Sequence, residues 1–343
     1  MSKINLIPIT NIMNQHFATN WLVASYFEKE SVCMVFGEPA SYKSFLVMDI
    51  AFCIATGNDW CGNAVSKGHV LYIAGEGHRG IQRRFTALEG KYGCKVSDIV
   101  ISDKPASLMD STAVNDILDA IDAAGVEPEL IVIDTLHRNF GGGDENSSRD
   151  FGVFMRHIDE IKSITKATII VVHHTGHADK GHSRGSSAIR ASMDAEYQLK
   201  IKGNGVELRC LKMKEFEQPQ NMSFSLRKVD VNVPTGLETS AYIEQVTDSK
   251  LANKSTNTQI VLQALSDAIA AKGSAIPINQ TNQRPELTQK RWVDVGEWRS
   301  QSYSALSSSI QNPPSQQQAF NRARNQLIKD GKIEEINGFV VML

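Results

Sequence analysis

Residues 31–44 constrain the fold of this chain more than any other stretch. Ser31 to Gly37 is a short apolar run closed by glycine, as expected of a buried strand. From Lys43 to Thr56, Leu46, Val47, Ile50, Ala51, Ile54 and Ala55 recur at helical spacing. Between them lies the octet Gly37-Glu38-Pro39-Ala40-Ser41-Tyr42-Lys43-Ser44. It has the form of the phosphate-binding loop G-x-x-x-x-G-K-[ST], with Tyr42 in place of the second glycine. In such a loop, backbone N–H groups and a helix N-terminus surround phosphate oxygens. Lys43 supplies a cation for the β and γ phosphates, and the Ser44 hydroxyl is placed to ligate magnesium. The competing reading is an ordinary strand-to-helix turn with a lysine in its first helical turn. The strand–loop–helix context favours the phosphate site, and Tyr42 is the one real departure from it.

The flanking sequence predicts an α/β core. Further buried strands are expected at His69 to Ala74, Leu130 to Ile133 and Thr168 to Val172, with helices near Arg79 to Tyr92, Val114 to Ala124 and Phe151 to Ile164. Alternation of this kind implies βαβ crossovers and a mostly parallel sheet covered on both faces. Ala195 to Lys202 and Val206 to Lys214 then alternate around Gly203-Asn204-Gly205, a hairpin pattern that Phe224 to Val229 extends. The polar, aromatic-free segment 248–258 reads as a linker. Beyond it, helices at Ile260 to Ala271 and Ala319 to Ile328 precede a hairpin centred on Asn337-Gly338. The expected organisation is an N-terminal collar over 1–30, an α/β P-loop core over 31–247, and a small winged-helix-like domain over 259–343. The Gln-rich piece Gln316 to Gln318, after Pro313-Pro314, reads as a loop.

Two carboxylates complete a candidate reaction site. Asp134 ends the apolar run Leu130-Ile131-Val132-Ile133, and an acid at a strand's C-terminal end reaches the crevice where Mg²⁺ is held. Glu76 follows the second strand in Ile73-Ala74-Gly75-Glu76-Gly77, where a carboxylate could orient or deprotonate an attacking water. A solvated loop glutamate explains Glu76 equally well from the residues alone.

Composition excludes several classes. The chain of 343 residues is 41% hydrophobic and 22% charged, which excludes disorder as its main state. Its apolar runs fall short of the ~20 residues a membrane span needs, and its start does not read as a cleavable signal. A net charge of -2 argues against a bulk basic nucleic-acid binder, leaving room for a local basic channel. Five scattered cysteines without a Cys-x-x-Cys pair fit free thiols in a reducing cytoplasm.

The ordered motifs resemble the RepA-type RecA-fold ATPases, relatives of hexameric replicative helicases found in phages and plasmids. The likeness runs from about Trp21 to Lys214. Besides the phosphate loop followed by Phe45-Leu46, it includes Ala55-Thr56-Gly57 and Trp60, Tyr72-Ile73-Ala74-Gly75-Glu76 and Ile133-Asp134-Thr135-Leu136. It continues through Val172-His173-His174-Thr175-Gly176 and Arg184-Gly185-Ser186-Ser187-Ala188-Ile189. The resemblance implies ATP and Mg²⁺ as ligands, Glu76 as the catalytic glutamate and Asp134 as the Mg²⁺-side acid. It also implies His173 as the γ-phosphate sensor and Arg84 as an arginine near the nucleotide or the central channel. The family's arginine finger has two candidates here, Arg190 and Arg184, because the aligned position reads Met193-Asp194.

His173, His174, His177 and His182 also admit a metal-site reading, since His173 and His177 are spaced as helical zinc ligands would be. Their place after a strand and before a glycine-bearing loop favours the sensor. The segment holding His177, Lys180, His182 and Arg184 is either a solvated surface loop or, by resemblance, a loop facing a nucleic-acid channel. The expected function is a homo-hexameric, helicase-like ATPase on single-stranded DNA, working in the cytoplasm with other replication proteins. An ATP-gated initiator, loader or recombination accessory is the alternative. A metabolic kinase is disfavoured, as no second small-substrate motif is visible. From Lys254 onward ten Lys+Arg face seven Asp+Glu, which permits nucleic-acid contact through Arg322 and Arg324. A protein–protein module or a simple cap explains that domain as well.

Overall fold

The computed structural model describes residues 6–13, 20–75, 77–176, 187–234, 236–247, 257–277, 287, 290–307 and 310–343. The chain divides into two compact units, Met1–Ala252 and Asn253–Leu343.

In the first unit, a short helix α1 (Ile9–Met13) and a hairpin of β1 (Trp21–Val23) and β2 (Phe27–Glu28) precede the phosphate-loop strand β3 (Val32–Gly37) and helix α2 (Lys43–Thr56). Then come β4 (His69–Ala74), α3 (His78–Tyr92), β5 (Ile99–Ile101), α4 (Ala113–Ala124), β6 (Pro128–Asp134), α5 (Leu136–Phe140), α6 (Ser148–Thr165) and β7 (Thr168–His174). A six-residue helix α7 (Ser187–Ser192) leads to β8 (Ala195–Lys202), β9 (Gly205–Met213), β10 (Met222–Val233) and β11 (Gly236–Val246). One nine-stranded sheet joins β3 to β11 in the order β11-β10-β9-β8-β3-β7-β6-β4-β5. The strands from β8 to β5 in that order are parallel, and β9, β10 and β11 add an antiparallel edge.

Strand pleating divides the core between the two faces. Val35, Tyr72, Val132 and Val172 pack toward α2 and α3. Met34, Ile73, Ile133 and Val171 pack toward α4, α5 and α6. Helix α2 has buried residues around its whole circumference, as expected of a helix enclosed by the protein.

Within the segment expected as an N-terminal collar, Leu22, Val23, Tyr26 and Phe27 are buried in the same core as α2. Their apolar side chains gain more by joining a large existing core than by covering a separate one. Sequence reasoning also missed β5, α5 and β11, the first two because they are too short to show a period.

The second unit contains α8 (Asn257–Lys272), β12 (Ser274–Ala275), β13 (Arg291–Asp294), α9 (Val295–Leu306), α10 (Pro313–Lys329), β14 (Ile333–Ile336) and β15 (Phe339–Met342). Its sheet order is β12-β13-β15-β14. Trp298, Phe320, Leu327, Ile333 and Val340 form its core with Val261 and Leu265. The loop expected at Gln316 to Gln318 is helical instead. Pro313 and Pro314 occupy the first helical positions, where no intrahelical N–H bond is lost.

Candidate nucleotide-binding site

Backbone conformation builds the loop. Ala40 and Tyr42 both lie in the left-handed region, at φ 62° and 63°. Tyr42 thus adopts, with a side chain, the conformation that glycine supplies in the usual motif. Its ring stacks edge-on against Phe45 at 6.3 Å, a contact that offsets some of the strain. Tyr42→Gly should therefore be more stable than Tyr42→Ala by about 1 kcal/mol, since alanine keeps the strain and loses the ring. Denaturant midpoints of the two variants test this, and equal stability would refute the strain argument. Gly37 is required for a different reason. A Cβ there would sit 2.5 Å from the Leu199 carbonyl oxygen and 2.5 Å from Ser41 Oγ.

The first N–H groups of α2 have no intrahelical acceptor, and its first turn carries no acidic residue. The helix therefore offers an uncompensated positive end to an anion. Ser41 is fully buried within the loop, and its Oγ has no hydrogen-bond partner among the described residues. Lys43 is also buried, and its Nζ donates to the carbonyls of Gly37 at 2.9 Å and Glu38 at 2.8 Å. Burial lowers the Lys43 ammonium to about 8, while the nearby Asp134 carboxylate opposes that shift. These donors and this cation fit a triphosphate. Glu38 is partly buried, Pro39 and Ala40 are exposed on the loop's crown, and Ser44 stands in the first helical turn.

Asp134 ends β6, separated from β3 in the sheet by β7 alone. On the sheet face of α2, its Oδ2 accepts a 2.5 Å hydrogen bond from the Tyr72 hydroxyl. Ser44 and Asp134 carry oxygen donors of the hard kind that Mg²⁺ takes. The Gly75 N–H donates to the Asp134 carbonyl at 2.6 Å, tying the tip of β4 to that of β6. Glu76 follows directly and lies outside the described residues, as does Arg184. Arg84, on α3, places its guanidinium 4.4 Å from the centre of the Phe45 ring. With Tyr72, Gly77, Gly80 and Asp134 it lines a cavity of about 30 Å³.

His173 is fully buried and pairs in register with Phe36, while His174 pairs with Gly37. Alternation along β7 sends His173 to the face of Val171 and His174 to the face of Val172, which Asp134 and α2 share. His174 is thus a candidate for the sensor role that the resemblance gave to His173, a choice that period-two counting along the strand brings out. The metal-site reading extends to His177 and His182, outside the described residues; among the described residues no group of three or more potential ligands could hold a metal ion.

Arg190 does not stand with these groups as an unengaged cation. Its Nε lies 3.0 Å from Glu196, whose side chain is 1% exposed. Lys212 donates to the carbonyls of Arg190, Ala191 and Met193, closing the C-terminal end of α7. Arg190→Ala should cost about 1–2 kcal/mol of stability by removing one ion-pair partner of the buried Glu196 carboxylate, and adding Glu196→Gln should restore part of it. Thermal unfolding of the single and double variants tests this; no recovery would separate the pair energetically.

An anion cradle at a strand-to-helix turn, a buried lysine and an acid two strands away define a P-loop nucleoside triphosphatase on an α/β fold. The chain belongs to the family described as AAA domain, whose model matches residues 4–180, just over half of its length. It is similar to a KaiC-like protein from Pyrococcus horikoshii OT3, at 14% identity and a TM-score of 0.41, with 64% of this chain and 93% of that one covered. It is also similar to a RadB recombinase, at 13% identity and a TM-score of 0.42, covering 61% of this chain and 90% of that one. No curated protein matches the chain. No helix among the described residues is long and apolar enough to cross a membrane.

Proposed function

We propose that this ATPase is a RepA-type ring motor, a homo-hexamer that hydrolyses ATP while moving on single-stranded DNA in the cytoplasm. One observation carries the reading. Strand β7 ends beside the phosphate loop, with the Thr175 N–H donating to the Gly37 carbonyl at 3.2 Å. The chain then runs directly into 177–186, whose sequence holds Lys180, Arg184 and two histidines against a single acid. A shift of the strand tip on nucleotide binding would be passed first to this basic segment, which suits contact with a phosphate backbone.

In this reading Lys43 and the α2 N-terminus hold the β and γ phosphates, and Ser44 and Asp134 hold Mg²⁺. The bound cation would neutralise charge on the transferring group. Glu76 would activate water, His173 or His174 would contact the γ phosphate, and Arg184 from a neighbouring protomer would complete the site. Arg190 is the weaker finger candidate, being held by Glu196 of its own chain. That hold favours the second reading, an ATP-gated initiator, loader or recombination accessory with slow turnover. Hydrolysis measured with and without single-stranded DNA, followed by unwinding of a tailed duplex, separates the two. Stimulation with unwinding supports the motor, and stimulation or binding without unwinding supports the accessory role. Light scattering with an ATP analogue should approach six protomers, and a protein that stays monomeric would sink the ring.

We further propose that the second unit is a winged helix. Its α8, α9 and α10 precede the β14–β15 hairpin, as that fold requires. Arg324 forms a forked pair with Glu335 on β14, which leaves exposed Arg322 as the more available phosphate contact. Truncation after Thr258 should preserve ATP binding; lost duplex affinity would assign DNA contact, and lost association with a replication protein would assign partner binding.

A further inference from the structure

The Tyr72 hydroxyl donates a 2.5 Å hydrogen bond to the Asp134 carboxylate. Strands β4 and β6 run parallel, with Tyr72 opposite Val132 and Ala74 opposite Asp134. Alternation therefore places Tyr72, Ala74 and Asp134 on one face of the sheet. The phenol reaches Asp134 diagonally past the small Ala74 side chain. Its ring is 1% exposed and meets Phe85 of α3 edge-on, with centroids 6.4 Å apart and planes at 86°. The hydroxyl is thus delivered by a rigid, buried ring. Its 2.5 Å bond to Oδ2 has the length of a hydrogen bond to a carboxylate.

The charge opposite Asp134 is arranged in a matching way. Lys43 Nζ is held by the Gly37 and Glu38 carbonyls, and Asp134 is tied to a neutral phenol. A carboxylate held in one rotamer needs no reordering when a cation arrives. Partners of this kind typically change metal affinity by about 10–100-fold when removed.

We propose that Tyr72 is a positioning residue that fixes the Asp134 carboxylate for the divalent cation accompanying the nucleotide. The proposal rests on the reading of Asp134 as the magnesium-side acid. Tyr72 touches neither nucleotide nor metal and acts through Asp134.

Fluorescent ADP binding, measured in EDTA and across a Mg²⁺ titration, tests it without relying on turnover. Tyr72→Phe keeps the buried ring and removes the hydroxyl. It should bind nucleotide in EDTA within about twofold of wild type, yet need about tenfold more Mg²⁺ for half of the metal-dependent tightening. Phe85→Leu loosens the ring's packing and keeps the hydroxyl, so its Mg²⁺ requirement should stay within about twofold of wild type. Asp134→Asn should shift that requirement more than either. A Tyr72→Phe protein with an unchanged Mg²⁺ requirement, beside a shifted Asp134→Asn, overturns the proposal and leaves the reading of Asp134 standing. An equal shift in Phe85→Leu, or an equal loss of affinity in EDTA, assigns Tyr72 to packing and also overturns it. An Asp134→Asn protein with wild-type Mg²⁺ dependence removes the underlying reading.

Discussion

Lys43→Ala should reduce ATP hydrolysis by about a thousandfold or more and weaken nucleotide affinity at least about tenfold. The amine is a buried cation of the cradle, already held at the loop by two carbonyls. Steady-state turnover and equilibrium nucleotide binding check the two effects separately. Retained hydrolysis would place the phosphate site elsewhere. The same residue should leave a pH signature in the nucleotide-free protein. Burial lowers the folded-state amine from 10.5 to about 8. Between those values the unfolded chain binds the extra proton, so stability rises with pH there. Below pH 8 both states are charged, and the full cost of burying the cation is present. Denaturant midpoints of wild type minus those of Lys43→Met should thus become more favourable from pH 8 to 10.5. A flat difference would mean the amine is solvated.

Glu76→Gln should keep nucleotide affinity near wild type and lower turnover by about 10²–10⁴, since an amide still accepts a hydrogen bond but takes no proton. The approach of the chain to this position is tightly specified. Gly75 is bonded to Asp134, and a Cβ on it would lie 2.4 Å from that of Arg138. The strand tip that leads to residue 76 is thereby held at the tip of β6. Single-turnover hydrolysis, compared with binding of the same nucleotide, isolates the step. Wild-type turnover in Glu76→Gln would assign the base to another group.

Much of the α/β core was legible because local chemistry and the required burial agree there. The run Val32 to Phe36 has no alternation, as a strand covered on both faces must, and Gly37 ends it where a side chain would strike Leu199 and Ser41. Helix α2 begins at Lys43 as its apolar periodicity predicts. Legibility failed where an element depends on remote partners. Strand β5 has three residues, too few for a period, and exists by pairing with β4. The piece Gln316 to Gln318 looks like a loop until the whole helix α10 that contains it is included.

For the site, residue types and spacing by themselves determined the phosphate loop, its lysine and serine, and the acid at the end of β6. Each is a short-range pattern in which one chain segment carries both the group and the backbone that aims it. Tertiary structure alone decided which groups meet. It placed β7 between β3 and β6, gave His174 the face of Asp134, and tied Arg190 to Glu196. It also brought Tyr72 to Asp134 across 62 positions of sequence. Strand order and pleat phase set these encounters, and both follow from how the whole sheet closes on its two cores, which no local pattern encodes.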